Sequence, residues 1–196
     1  MSVVVIDSGG ANLASLCHAL ARLGVSASVS RDPAVIAAAP RVLLPGVGAA
    51  ADAMSRLASF GLVETIRRLE VPLLGICLGM QLLFEHSAEG DTPCLGLLPG
   101  RVERLPASPE LPAPHMGWNT VTRTAADALL DRLEGRHFYF VHGYGLRPVP
   151  CTTSICEYGG PWSASVARGR VHGVQFHPER SGAAGALLLA NFLQCS

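Results

Sequence analysis

Gly75-Ile76-Cys77-Leu78-Gly79 sits between the apolar run Val71-Pro72-Leu73-Leu74 and the segment Met80-Gln81-Leu82-Leu83-Phe84-Glu85. Strand, glycine-flanked cysteine, helix is the pattern of a nucleophile elbow with sulfur as the attacking atom. Such a turn exposes the thiol at the carboxyl end of a strand, and flanking glycines give a strained turn the backbone freedom it needs. The helix that starts there directs its positive end and unpaired N–H groups at the sulfur, which favours thiolate. The same N–H groups can hold the oxyanion of a tetrahedral intermediate. Taken alone, the pentapeptide fits a buried core cysteine equally well, the commonest fate of a free thiol.

A partner for that thiol stands in Val171-His172-Gly173-Val174-Gln175-Phe176-His177-Pro178-Glu179. Val171 to Phe176 reads as a strand with His177 at its end, and Pro178 biases His177 toward an extended backbone. Residues i and i+2 of an extended stretch face one side, which sets the Glu179 carboxylate beside the His177 imidazole. A carboxylate there fixes the tautomer of the ring and stabilises imidazolium once His177 has taken the thiol proton. A lone histidine is more often a satisfied core residue. His-Pro-Glu at a strand end, in a chain that also carries a cysteine elbow, points to catalysis by Cys77, His177 and Glu179.

The elements that must hold these residues alternate in the first half of the chain. Strands are expected at Val3 to Asp7, Ser26 to Ser30, Arg41 to Leu44 and Leu73 to Ile76. Helices are expected at Asn12 to Leu23, Ala50 to Arg68 and Leu78 to Glu85. The strands are short continuous apolar runs, as when helices cover both faces of a sheet. That pattern is the α/β class, with a doubly wound, mostly parallel sheet. Ligands of such sheets bind at the carboxyl ends of strands, where Gly9-Gly10, Pro45-Gly46 and the elbow all fall.

The second half changes character. Gly100 to Leu105, Trp118 to Arg123, His137 to Val141, Thr152 to Tyr158, Trp162 to Ala167 and Val171 to Phe176 read as strands. They form an additional, mostly antiparallel β region, and Ser181 to Leu193 reads as a closing helix. Gly90 to Pro114 carries six prolines and reads as loop. With 196 residues, no internal repeat and no linker, residues 1–196 are expected to make one domain.

Together these motifs resemble the class I glutamine amidotransferases, whose glutaminase domain uses a Cys-His-Glu triad. Further segments narrow the resemblance to the glutaminase-subunit family of imidazole glycerol phosphate synthase, in histidine biosynthesis. They are Ile6-Asp7-Ser8-Gly9-Gly10-Ala11-Asn12-Leu13, Leu44-Pro45-Gly46-Val47-Gly48, Pro114-His115-Met116-Gly117-Trp118-Asn119, Tyr139-Phe140-Val141-His142-Gly143-Tyr144 and Gly173 to Gly182. The resemblance covers essentially the whole chain in the family's order.

It implies a glutaminase that releases ammonia from L-glutamine and passes it to a separate cyclase subunit, as a heterodimer. It also implies backbone N–H groups of Val47 and Leu78 as oxyanion donors. Substrate contacts are expected from Gly46, Gly48, Gln81, Glu89, His142, Gly143 and Tyr144. Gln81 stands one helical turn after Cys77 on the same face, and Gly143 stands where relatives carry a small hydroxyl residue. By resemblance, Asn12, His115, Trp118, Asn119, Tyr139 and Arg180 face the partner. A glutaminase of anthranilate or pyridoxal phosphate synthesis would not account for His115-Met116-Gly117-Trp118-Asn119. A catalytically silent partner-binding subunit would not account for an intact Cys77, His177 and Glu179.

Composition excludes other classes. Fifteen basic and fifteen acidic residues give no net charge to attract nucleic acid or an anionic membrane. All basic residues are arginine, which removes lysine Schiff-base chemistry and a Walker-type phosphate loop. Asp7-Ser8-Gly9-Gly10-Ala11-Asn12 lacks the glycine spacing of a dinucleotide loop, so no cofactor is expected. The six cysteines show no paired spacing of a zinc site, and no metal is expected. Hydrophobic content of 49% and a mean hydropathy of +0.34 suit a well-packed core. No apolar run approaches the ~20 residues of a membrane span, and the start lacks the basic region of a signal peptide. The expected location is the cytoplasm, where thiols stay reduced.

Overall fold

The computed structural model describes residues 2–9 and 13–195. Its first half runs β1 (Ser2–Ile6), α1 (Leu13–Arg22), β2 (Ser26–Ser30), α2 (Pro33–Ala37), β3 (Val42–Gly46), α3 (Ala50–Ser59), α4 (Leu62–Arg67), β4 (Leu73–Cys77) and α5 (Leu78–Gln81). Three short strands follow: β5 (His86–Ser87), β6 (Thr92–Pro93) and β7 (Arg101–Arg104). The second half contains β8 (His115–Thr120), β9 (Thr122–Arg123), β10 (His137–His142), β11 (Tyr144–Gly145), β12 (Thr152–Glu157), β13 (Pro161–Arg168), β14 (Val171–Val174) and α6 (Gly182–Gln194).

Eight strands form the main sheet in the order β2-β1-β3-β4-β14-β13-β12-β9. From β2 to β14 the neighbours pair parallel; β13, β12 and β9 extend the sheet antiparallel. β8 and β10 form an antiparallel ribbon, and β11-β7-β5-β6 a small separate sheet. This is the expected mixed α/β architecture. Two-sided burial follows from the strand period of two. Val3 and Val5 join the apolar cluster with Leu16 and Leu20 of α1 and Leu188, Leu189 and Phe192 of α6. Val4 and Ile6 join the opposite cluster with Ile36, Leu57, Leu62 and Ile66 from α2, α3 and α4. No helix among the described residues is long and apolar enough to cross a membrane.

Several elements depart from the sequence reading. The helix expected from Ala50 to Arg68 is two helices, because Gly61 takes a left-handed φ of 68° between them. The helix expected from Leu78 to Glu85 ends at Gln81, after which Leu95 and Leu97 donate to the carbonyls of Leu82 and Leu83. Glu85 N–H then bonds Gly100 O, drawing the chain into the small sheet. The strand expected at Trp118 begins at His115, because the whole stretch to Thr120 pairs with β10. α2 was not expected, although Asp32 caps it through a 2.8 Å bond from Ala34 N–H and Pro33 opens it. That is a standard helix-start signal.

Candidate active site

Three adjacent parallel strands deliver the expected residues to one end of the sheet. β3 ends in Gly46, β4 ends in Cys77, and β14 leads into His177. Register pairs Gly46 with Cys77 across β3 and β4, and Val174 with Ile76 across β14 and β4. Residues far apart in the chain therefore meet at the carboxyl ends of neighbouring strands.

The elbow is strained at the cysteine itself. Cys77 has φ 54° and ψ −113°, a conformation L residues avoid and one that costs about 1–3 kcal/mol. The flanking glycines serve another purpose than the freedom expected of them, since neither takes a positive φ. A Cβ on Gly79 would lie 1.7 Å from Leu44 O, and one on Gly75 would lie 2.6 Å from Gly79 O. They let the start of α5 press against β3 and back on β4.

His177 Nδ1 meets Glu179 Oε1 at 2.8 Å, and both side chains are only 8% exposed. The turn that holds them is stitched to β10. His177 N–H donates to Tyr139 O at 2.9 Å, while Ser181 Oγ donates to His177 O at 2.7 Å and accepts Tyr139 N–H at 3.0 Å. Gly185 lets α6 sit directly on the turn, because a Cβ there would fall 1.9 Å from Pro178 O. His177 Nε2 is buried and, the Cys77 sulfur aside, meets no hydrogen-bond partner among the described residues, leaving it to a reacting group. Burial alone would lower the imidazole pKa, but the Cys77 sulfur and the Glu179 carboxylate beside it prevail and push it up to about 10. The ring is held ready to carry a proton.

A cavity of about 330 Å³ opens over the sulfur. Cys77, His177 and Glu179 line it, together with Gly46, Val47, Gly48, Leu78, Gln81, Glu89, His142, Gly143 and Tyr144. Leu78 is the first residue of α5, so its N–H has no acceptor within the helix. Glu89 Oε2 accepts Ala50 N–H at 2.8 Å, tying this carboxylate to the start of α3. Both N–H groups of the Gln81 amide are engaged, at 2.8 Å to Tyr144 O and 3.0 Å to Gln175 Oε1, so its carbonyl oxygen is what remains for a ligand. At Gly143 an added Cβ would meet, among the described residues, only Pro114 Cβ, at 4.0 Å, so a small side chain fits there.

His142 in the cavity wall and His115 behind it form a directed chain. Asn119 Nδ2 donates to Glu157 O at 2.9 Å and faces His115 Nε2 at 3.4 Å, which makes that ring nitrogen an acceptor. His115 Nδ1–H then donates to His142 Nε2 at 3.1 Å, and His142 Nδ1–H to Tyr144 O at 2.8 Å. Burial lowers the pKa of His115 to about 4. Burial foremost, and the neighbouring histidines, bring His142 to about 4 against the pull of the Tyr144 carbonyl. With both ring nitrogens used, His142 can offer a ligand only its backbone.

The pleat of β8 divides the residues expected at the partner face. Met116 and Trp118 project outward, 68% and 57% exposed. Trp118 meets Tyr139 edge-on at 6.1 Å, and the Arg180 guanidinium lies 4.6 Å over the Tyr139 ring. His115 points the other way, buried in a stack between Phe140 and Tyr158, so it is not a surface residue. Asn119 shares that inner face and braces His115. Asn12 lies outside the described residues. Sequence reasoning missed Gln175 and the Val141 carbonyl, each 3.8 Å from Cys77 Sγ. The signal for Gln175 was present: an amide two residues before His177, on the same face of an extended stretch.

The family model described as glutamine amidotransferase class-I matches residues 4–195. The chain is 53% identical over 193 residues to the imidazole glycerol phosphate synthase subunit HisH of Xylella fastidiosa, covering 98% of this chain and 96% of the relative. It is 55% identical over 195 residues to the subunit of that name in Xanthomonas euvesicatoria, covering 99% and 98%. Among solved structures, a glutamine amidotransferase superposes with a TM-score of 0.77 at 22% identity, covering 98% and 97% of the two chains. PurLQS from Thermotoga maritima gives 0.71 at 19% identity, covering 98% and 97%. The structural likenesses establish the fold, the sequence matches run the length of the chain, and this protein belongs to the class-I glutamine amidotransferase family.

Proposed function

We propose that this chain is the glutaminase subunit of an imidazole glycerol phosphate synthase. It hydrolyses L-glutamine to glutamate and ammonia as a single glutamine amidotransferase domain in the cytoplasm. The ammonia passes to a cyclase subunit held in a heterodimer, which uses it in histidine biosynthesis. The observation that carries this reading is the meeting of the Cys77 sulfur, the free Nε2 of a carboxylate-paired His177 and the Gly46–Gly48 strand end on one cavity. Full-length identity above half to subunits of that name selects the pathway.

In this reading His177 Nε2 takes the Cys77 proton and the thiolate attacks the carboxamide carbon of glutamine. The oxyanion is held by N–H groups of Leu78 and Val47. His177 returns its proton to the amide nitrogen, ammonia leaves, and a γ-glutamyl thioester remains on Cys77. His177 then takes a proton from water, the hydroxide attacks the thioester carbon, and glutamate leaves as the thiolate re-forms. Glu179 keeps Nδ1 protonated and the ring oriented throughout. Glu89 and the Gln81 carbonyl oxygen receive the substrate ammonium group. Trp118, Tyr139 and Arg180 form the surface that meets the cyclase, an aromatic and arginine cluster of the kind that anchors interfaces.

The test is Cys77→Ala in the assembled enzyme. Glutamine-dependent synthesis should vanish while synthesis from added ammonium salt persists. Loss of both would mark Cys77 as structural, and loss of neither would remove it from the chemistry.

A further inference from the structure

We propose that Gln175 is a further catalytic residue, whose side-chain N–H donates to the Cys77 sulfur and favours its thiolate over its thiol. This rests on reading Cys77 as the nucleophile.

Register puts the amide there. Val174 stands opposite Ile76, so one residue on, Gln175 is level with Cys77, on the side away from Gly46. Its side chain is fully buried, and its backbone N–H is anchored to Ala164 O at 2.9 Å. The orientation of the amide follows from its neighbours. Tyr144 O can only accept, so the Gln81 group facing it is the amino nitrogen, at 2.8 Å. The same nitrogen donates to Gln175 at 3.0 Å, which makes the facing atom Oε1. Nε2 of Gln175 is thereby turned to Cys77 Sγ, at 3.8 Å.

Besides His177, the base that takes the thiol proton and is paired with Glu179, two contacts at the sulfur distinguish its two protonation states. The Val141 carbonyl, 3.8 Å from Sγ, can accept a proton from the thiol but repels the thiolate. The Gln175 amide can donate to the thiolate, and a hydrogen bond to an ion is roughly twice as strong as a neutral one. Deprotonation therefore moves the sulfur's interaction from Val141 to Gln175. The Gln81–Gln175 amide pair holds the donor in place, so the site is arranged for the ion before substrate arrives.

Iodoacetamide tests this, because it is small and neutral and reads thiolate without needing Gln81 or Glu89. Burial pushes up the pKa of the other five thiols, Cys17, Cys94, Cys151, Cys156 and Cys195, so labelling near neutrality reports Cys77. Cys77→Ala serves as the blank. In the complex with the cyclase, Gln175→Met keeps side-chain length and should slow labelling at pH 7 about tenfold. It should also move the rate–pH profile about one unit alkaline, with the limiting rate at high pH unchanged. Gln175→Glu, which has the same shape, should move the profile at least as far, and thermal melting checks the fold of both. An unmoved profile, or one lowered equally at every pH, overturns the role of Gln175 and leaves the nucleophile standing. Wild-type labelling no faster than the blank overturns both.

Discussion

Replacing Glu179 by glutamine removes a negative charge from a buried pair and keeps its shape. The carboxylate meets His177 at 2.8 Å with both side chains 8% exposed, so solvent screens the contact little. A hydrogen bond to a charged group contributes about 1.5–3 kcal/mol. If the new amide turns its carbonyl to Nδ1–H, the tautomer survives and turnover falls about 10- to 100-fold. If it turns its NH2 to Nδ1, the ring proton moves to Nε2, which can no longer take the thiol proton. That error costs about 10⁴-fold in acyl-transfer sites of the triad type. The expected loss in glutamine-dependent turnover is therefore about 10- to 10⁴-fold, with ammonium-dependent synthesis retained. Stability supplies an independent reading. His177 is raised from 6.5 to about 10 in the folded protein, chiefly by Cys77 and Glu179 against the opposing effect of burial. A raised base stabilises the fold fully below its unfolded pKa, and that gain is lost as pH rises through the folded value. The gap in melting temperature between wild type and Glu179→Gln should shrink as pH climbs from neutrality through about 10. A turnover loss under tenfold, with a melting gap flat in pH, would refute the reasoning and reduce His-Pro-Glu to a structural turn.

Other perturbations follow from the same geometry. Gly79→Ala would put a Cβ 1.7 Å from Leu44 O, so the urea midpoint should fall by the equivalent of about 3 kcal/mol or more; a midpoint within error of wild type would refute the close approach. His115 and His142 are lowered to about 4, mainly by burial. The unfolded chain therefore binds more protons between about pH 4 and 6.5, and the stability present above 6.5 is lost as pH falls toward 4. His115→Gln should flatten that acid slope in thermal melts, and an unchanged slope would clear the pair of any part in it. Glutamine hydrolysis by the isolated subunit should be at least about a hundredfold slower than in the complex, and equal rates would eliminate control by the partner.

The elbow and His-Pro-Glu were legible in the sequence because each is local. A strand end, a glycine pair and a proline fix their own surroundings within a few residues. The parallel half of the sheet was legible for a related reason, since unbroken apolar runs such as Val42–Leu44 require cover on both faces. What stayed hidden depends on contacts between distant segments. His115 and Trp118 read as one cluster, and only the pairing of β8 with β10 shows that the pleat turns them to opposite faces. Gly61 lies inside the stretch read as one helix, and its left-handed φ of 68° breaks that helix in two. Gln175 lacked any motif of its own and gains meaning only beside Cys77 and Gln81.

The glycines around the site also decide where a partner could act. Gly46 cannot shift freely: a Cβ there would lie 2.9 Å from Gly79 N, so the end of β3 is locked against the start of α5. The other end of the loop is tied down as well, because Ala50 N–H is held by Glu89 at 2.8 Å. Between these fixed points lie residues 47–49. Gly48 takes a φ of 88°, among the described residues nothing lies within 4 Å of a would-be Cβ, and Val47 is 37% exposed. The freedom to turn an N–H toward an oxyanion thus lies in the peptides between Gly46 and Ala49. A ligand or subunit that favours one orientation there by about 2.7 kcal/mol changes its population about a hundredfold. Because Glu89 both lines the cavity and anchors Ala50, a cation placed at Glu89 would act on the same three-residue segment from the cavity side.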